Sequence, residues 1–272
     1  MVVLDVVVRC RNEMPYAPRA LDALLDQHGV EPRLIVFECG STDGSREEVV
    51  ARGLSFVHVD PISYVPGRVL NAGMAATTSP LVAFVNADAI ARDRHALEAL
   101  IEPFQRPEVA ATFARQVPRP DASRATRVEH ARAFGERAPT RVRNGAFFSM
   151  AASAVRRATW EALPFDEELR YSEDVDWTTR VRALGWGVEY VPGAVFEHSH
   201  EYDLRAAFRR RRGEGLAEAS IARLGAPSVL DDLVRPLGGA LLRDLGAGVL
   251  SIPRRVAEAT GYWAGRRAAL RA

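Results

Sequence analysis

The chain has two cysteines, no lysine, and no apolar run approaching the roughly 20 residues of a membrane-spanning helix. Its most apolar late stretch, Pro236 to Pro253, is interrupted by Arg243 and Asp244. Two thiols exclude a disulfide-built scaffold, and the separation of Cys10 from Cys39 fits no zinc motif. Each falls at the end of a predicted strand, so a reduced pair of neighbouring thiols is expected. No basic-then-apolar leader with a small-residue cleavage site precedes the first strand, and a cytoplasmic protein is expected. All 36 basic side chains other than histidine are arginine, which a base-composition bias explains more simply than a selected phosphate surface. A net charge of +1 gives no sign of a nucleic-acid partner. Internal repeats are absent, and the only low-complexity run is Arg209 to Arg212.

What is present is a core-forming pattern. With 47% hydrophobic residues in 272, the chain can bury one large domain, or one domain with an extension. Val2 to Val8 is a continuous β-branched run, as in a strand covered on both faces, and Pro18 to Gln27 carries a helical apolar period. The cycle repeats with strands at Leu34 to Phe37, Phe56 to Val59, Leu81 to Val85 and Val109 to Val117. Helices are expected between them at Ser45 to Arg52, Arg68 to Ala76 and Arg94 to Phe104. This alternation predicts an α/β fold, doubly wound around a mostly parallel sheet. From Arg119 to Asn144 prolines and charges loosen the pattern into an expected loop, which recovers at Ala146 to Met150 and, as helix, at Ala154 to Leu163. A late strand is expected over Gly187 to Val191, a strand-like stretch over Ala194 to Phe196, and helices from Leu204 onward. Residues 204–272 hold thirteen arginines and six acids, a surplus of seven positive charges. We therefore divide the chain into residues 1–203, with halves 1–117 and 118–203, and a basic helical extension, 204–272.

In a parallel sheet, ligands bind at the carboxyl ends of the strands. Leu81 to Val85 empties there into Asn86-Ala87-Asp88, and Leu34 to Phe37 into Glu38 and the small, polar run Cys39 to Ser45. Asp88 can hold a divalent ion against a diphosphate, or simply cap a turn. Asp43 reads better as a turn and helix-start residue. Arg9, Arg11 and Glu13 follow the first strand and, with Glu38, rim the crevice; Arg68 and Asn71 open a helix toward the same edge. Glu173, Asp174 and Asp176 open another helix, where the macrodipole favours acids. Tyr171 and Trp177 flank them, and apolar surface there can raise a carboxylate pKa and present a sugar-holding face. His198 and His200, alternate residues after a strand-like stretch, can share a face, and one of them can complete a metal site with Asp88.

In order and spacing, these segments resemble the GT-A glycosyltransferases of family 2, particularly the rhamnosyltransferase-like branch. The matching pieces are Val6 to Glu13, Ile35 to Ser45, Gly67 to Gly73, Asn86-Ala87-Asp88, Leu163 to Glu167, Glu173-Asp174 and His198-Ser199-His200. The resemblance implies a GT-A fold with a Rossmann-like nucleotide-binding half, and Glu38 at the acidic position that reads the base. It implies Asp88 as the metal-binding acid of the DXD motif, Asp174 as catalytic base beside Glu173, and His198 or His200 as metal ligand. Arg9, Arg11, Glu13, Arg68, Asn71, Asn86 and Ala87 complete the expected donor site. Mg²⁺ or Mn²⁺ is the implied cofactor, a nucleoside-diphosphate sugar the donor, and a hydroxyl on a glycan, lipid-linked or small molecule the acceptor. Asn86 departs from the first acid of DXD and Glu38 from the usual aspartate. The Gln-x-x-Arg-Trp motif of processive synthases is missing, so addition of one sugar with inversion is expected. A sugar-phosphate nucleotidyltransferase and an inactive nucleotide-sugar-binding protein are the competing readings; the first would carry a glycine-rich loop where Arg9 to Glu13 stands. The extension, with Leu241, Leu242, Val249, Leu250, Tyr262 and Trp263, can lie on the inner face of an anionic membrane, or pack on the catalytic domain or a second subunit.

Overall fold

The computed structural model describes residues 2–137, 147–222, 226–249 and 251–270. Eight strands form its sheet: β1 Val2–Cys10, β2 Val30–Glu38, β3 Ser55–His58, β4 Leu81–Asn86, β5 Ile90–Ala91, β6 Val109–Val117, β7 Ala152–Arg156 and β8 Gly187–Glu197. Between and after them lie α1 Ala17–Leu25, α2 Ser45–Ala51, α3 Pro66–Ala75, α4 Ala96–Ile101, α5 Arg124–Ala133, α6 Arg157–Ala162, α7 Glu173–Ala183, α8 Leu204–Ile221, α9 Arg235–Gly246 and α10 Ile252–Ala269. The spatial order is β3-β2-β1-β4-β7-β6-β8-β5. β1 pairs in parallel with β2 and β4, β2 with β3, and β6 with β8; only β7 and β5 run against the rest.

The strict two-residue period of β1 and β4 separates two apolar cores, one on each face of the sheet. Leu4, Val6, Val8, Ala83 and Val85 pack with Leu21 and Leu24 of α1 and Leu97 and Leu100 of α4. Val7, Val82 and Phe84 turn the other way, toward Val69, Leu70 and Met74 of α3 and Trp177 of α7. This is the doubly wound α/β architecture expected from the alternation.

Three local expectations change. Ala154 to Leu163 is not one helix, because Ala152–Arg156 is a central antiparallel strand. Ser153 there lies opposite Phe84 on one side and Phe113 on the other, so small residues fit where both neighbours carry rings. Gly187–Glu197 is a single strand whose pairing with β6 slips between Ala114 and Arg115, opposite Pro192 and Gly193, as proline within a sheet requires. The loop expected from Arg119 contains helix α5, capped where Ser123 Oγ accepts from the Thr126 N–H. Its end at Asn144, and Ala146, lie outside the described residues.

The extension folds back on the domain. A Cβ on Gly215 would stand 2.3 Å from the Tyr262 carbonyl oxygen, on Gly261 2.5 Å from that of Phe208, and on Gly265 2.0 Å from that of Arg212. Glycine thus lets α8 and α10 approach at backbone distance. Arg255, 6% exposed, donates to Asp244 at 2.8 Å and to Glu129 of α5 at 2.6 Å, fastening the extension to the rest of the chain. Among the described residues no helix is long and apolar enough to cross a membrane.

A similar close approach holds α3 to the sheet, since a Cβ at Gly73 would lie 2.8 Å from Val7 Cγ1 and 3.3 Å from Phe84 Cε1. Gly73→Ala should cost about 1–3 kcal/mol by overpacking, measured as a lower midpoint in urea unfolding.

Candidate active site

The parallel strands deliver side chains from four carboxyl ends to one edge of the sheet. Arg9 is at the end of β1, Asp88 follows β4, Arg119 follows β6, and His198 follows β8. Asp88 is buried, and its Oδ2 accepts from Arg119 Nη2 at 2.8 Å. The Arg119 guanidinium lies 3.6 Å from the centre of the Tyr16 ring. On the other side, His198 Nε2 stands 3.4 Å from Asp88 Oδ1 and His200 Nε2 3.8 Å from Oδ2. Burial alone would raise the Asp88 pKa, but His198, His200 and Arg119 together hold it well below the usual carboxylate range.

A second layer fixes the His198 ring. Gln116 Nε2 donates to Ser149 Oγ at 2.7 Å, which turns Gln116 Oε1 toward His198 Nδ1 at 2.8 Å. In the neutral ring Nδ1 then carries the hydrogen, and the Nε2 lone pair on the Asp88 side is free for a metal. Both His198 Nε2 and Asp88 Oδ1 are buried without a hydrogen-bond partner among the described residues. In that form two buried acceptors face each other, which is costly unless a proton or a metal cation lies between them. Ligand atoms of Asp88, His198 and His200 all fall within 4.8 Å of one another. Burial, with the charge of His198, pushes His200 down to about 4, so its ring is neutral and able to bind metal at neutral pH. One carboxylate and two imidazoles fit a divalent ion, and suit Mn²⁺ better than the oxygen-loving Mg²⁺.

Beside this cluster a cavity of about 300 Å³ is lined by Arg9, Cys10, Arg11, Glu13, Cys39, Tyr64 and Asn86. Arg9 Nη2 donates to Asn86 Oδ1 at 2.8 Å and to the Met150 carbonyl at 3.1 Å. The amide in the first DXD position is thus tied to a cation. Ala87 contributes backbone only, its N–H donating to the Arg9 carbonyl at 2.8 Å. Burial, then the charge of Asp88, pushes Glu13 up to about 8. Cys10 and Cys39 are neighbouring free thiols, raised by burial to about 12 and about 11 and correspondingly unreactive.

Glu38 is fully buried at the tip of β2. One oxygen accepts from the Ser41 N–H, and the other, without a hydrogen bond, lies 3.5 Å from His58 Nδ1. Although burial opposes its charge, the Ser41 and Gly40 amides and His58 keep the carboxyl below its usual range. Asp43 accepts from the Met14 and Ser45 N–H groups at 2.9 and 3.0 Å, the structural role expected of it. At the start of α7, burial and then repulsion from Glu173 raise Asp174 to about 7. Burial raises Glu173 as well, against the opposing charges of Arg9 and Arg210. The charge of Arg9, at the cavity, opposes the rise of Glu13, Glu173 and Asp174 alike.

Two expected donor-site residues are engaged elsewhere. Asn71 Nδ2 donates to the Phe165 carbonyl at 3.0 Å and Glu167 Oε1 at 2.9 Å, while Oδ1 accepts from Trp160 Nε1 at 2.8 Å and the Phe165 N–H at 3.0 Å. Its amide is saturated by the scaffold. Arg68 donates to the Glu167 carbonyl at 3.0 Å and Glu168 at 2.9 Å, on the same outer segment. Trp177, expected to present a sugar-holding face, is instead in the core, 5.0 Å from Phe165 in a ring stack. Three residues around these groups escape a strand-by-strand reading of acids and histidines: Gln116, Arg119 and Tyr64. Gln116 and Arg119 had a signal, because they bracket the end of a recognised strand. Arg210, whose Nη1 donates to the Tyr202 hydroxyl at 2.6 Å and Nε to Glu214 at 2.9 Å, was visible only as part of the arginine run.

The family model described as glycosyltransferase like family 2 matches residues 4–216. The chain is 30% identical over 233 residues to the O-antigen chain rhamnosyltransferase RfbN of Salmonella typhimurium, covering 79% of this chain and 72% of that protein. It is 30% identical over 199 residues to the O-antigen chain rhamnosyltransferase WbaN of Salmonella anatum, where the shares are 69% and 62%. The mannosyltransferase PcManGT from Pyrobaculum calidifontis, solved with GDP-Man and Mn²⁺, shares the GT-A fold with TM-score 0.63 at 20% identity, over 95% of this chain and 73% of that one. Glucosyl-3-phosphoglycerate synthase from Mycobacterium tuberculosis, solved with Mn²⁺, UDP and phosphoglyceric acid, has TM-score 0.61 at 19% identity, over 82% and 80%.

Replacing Asn71 with alanine leaves the Trp160 and Phe165 N–H groups without their acceptor. Asn71→Ala should cost about 2–3 kcal/mol in urea unfolding and leave nucleoside-diphosphate affinity, measured by calorimetry, unchanged within about twofold.

Proposed function

Because the chain belongs to glycosyltransferase-like family 2, we propose that it transfers one sugar from a nucleoside-diphosphate sugar to an acceptor hydroxyl in a metal-dependent, inverting and non-processive reaction. The observation that carries this reading is the pair of buried, partnerless acceptors, Asp88 Oδ1 and His198 Nε2, beside the cavity lined by Arg9, Arg11 and Asn86. A divalent cation held by Asp88, His198 and His200 would supply positive charge to the diphosphate as it departs. The Mn²⁺ bound in the two structural relatives supports that cofactor.

The chain's own groups do the rest. Arg119 balances the charge of Asp88 Oδ2 and leaves Oδ1 directed to the ligand cluster. Arg9 and Arg11 put guanidinium groups at the cavity, where they bind the donor's phosphates. Glu38, kept ionised at the tip of β2, accepts from a base N–H. Asp174 takes the proton of the acceptor hydroxyl, whose oxygen attacks the anomeric carbon from the face opposite the diphosphate. The bond from that carbon to the diphosphate oxygen breaks, and configuration inverts. Glu173 and burial set the Asp174 pKa near 7, where a carboxylate is both available and basic enough for this role. The nucleotidyltransferase reading loses ground to the family match and to the glycine-free Arg9 to Glu13 segment.

The test is transfer from a panel of nucleotide sugars with Mn²⁺. Asp174→Asn should lower kcat by about 10²–10⁴-fold while donor affinity holds. A carboxyl raised to about 7 is the active base only when deprotonated. The rate should therefore climb with pH through about 7 and level off above it. Transfer unchanged in Asp174→Asn would remove the base assignment.

A further inference from the structure

The extension carries an apolar stripe that nothing in the described chain covers. Leu230 and Val234 are 51% and 50% exposed, and Leu242 and Leu245 are each 71% exposed. A π-turn spans Leu230–Val234 and leads directly into α9. Because a π-turn advances each residue by a smaller angle than an α-helix, the four side chains share one face. Gly238, in the middle of that face, has open space where a side chain would be. Asp244, on the opposite side of α9, is buried against Arg255, so the helix has a fixed inner and outer surface. Ile252 and Val256 at the start of α10, 50% and 40% exposed, add further apolar surface to the same extension.

The charges decide what this surface meets. All six acids of residues 204–272 are engaged within the extension. Glu214 pairs with Arg210 and Arg211, Asp231 with Arg235, Asp232 with Arg266, Asp244 with Arg255 and Glu258 with Arg254, while Glu218 accepts from the Tyr262 hydroxyl. Arg205, Arg209, Arg212 and Arg243 are exposed, with no carboxylate at ion-pair distance among the described residues. Arg243 stands between Leu242 and Leu245 in α9, while Arg235 is held by Asp231. Residues 204–272 carry thirteen arginines against six acids, so a second copy would bring like charge against like, whereas an anionic lipid surface supplies both the apolar layer and the opposite charge. We propose that the stripe Leu230, Val234, Leu242 and Leu245 docks the protein onto anionic phospholipid bilayers, its leucines seated among the acyl chains and its arginines on the headgroups.

The experiment is cosedimentation of the intact chain with phosphatidylcholine vesicles, with and without phosphatidylglycerol. Binding should require phosphatidylglycerol and weaken as salt shortens the screening length. The double variant Leu242→Glu, Leu245→Glu should lose at least about tenfold in partitioning. Both positions are largely exposed, and an unchanged melting temperature checks that the variant folds. A second readout uses Leu242→Cys carrying an environment-sensitive dye, since Cys10 and Cys39 are buried and unreactive. Its emission should shift to the blue on anionic vesicles only. A protein that stays in solution with every vesicle, binding indifferent to the leucine pair, or a stripe-dependent dimer in sedimentation equilibrium without vesicle binding would each overturn the proposal.

Discussion

Two buried atoms, Asp88 Oδ1 and His198 Nε2, face each other at 3.4 Å without a hydrogen bond to any other described residue, and the surroundings of the site hold them in that place. Gln116, anchored by Ser149, holds the hydrogen of His198 on the far nitrogen. Arg119 occupies the other Asp88 oxygen and prevents that carboxylate from turning away. Such an arrangement is unfavourable in isolation. It makes physical sense as a site formed for a cation, and it is why the surrounding groups are as polar and as buried as they are.

The fold makes this arrangement cheap to maintain. Parallel strands with two apolar faces bring the ends of β1, β4, β6 and β8 to a single edge, so residues distant in sequence meet without long loops of their own. The antiparallel β7, with Ser153 between two phenylalanines, holds the two parallel sets together. Outside the sheet, α8 carries Arg210, whose charge opposes the rise of Glu173, while close packing against α10 holds α8 in place. The extension therefore packs on the rest of the chain and still presents an exposed apolar stripe.

Much of this was legible in the residues. The α/β alternation and the carboxylate at the end of the Leu81 to Val85 run follow from hydrophobic period alone, whereas the meeting of Asp88 with both histidines goes beyond the single imidazole expected from the family resemblance. Less legible were residues whose partners are remote in sequence. Asn71 and Arg68 open a helix at the right edge, but the outer segment from Phe165 to Glu168 claims their hydrogen bonds, and no local pattern announces that. Trp177 beside acidic residues reads as a ligand platform, yet the same helix turns its rings inward to Phe148 and Phe165. Ala152–Arg156 carries no clear apolar period, and the fit of Ser153 between Phe84 and Phe113 depends on strands remote in sequence. The end of β6 was legible where it lies, and Arg119 was not, because the residues after Val117 read as the start of a proline-rich loop.

The central claim is that Asp88, His198 and His200 share one divalent ion. Pulsed electron paramagnetic resonance of Mn²⁺ bound to the intact chain tests it most directly, because imidazole nitrogens bound to the ion modulate the echo. Two nitrogen couplings are predicted, one of them lost in His198→Ala, and binding abolished in Asp88→Asn. Mn²⁺ that shows only water ligands, or binds Asp88→Asn as it binds the unaltered chain, would contradict the account.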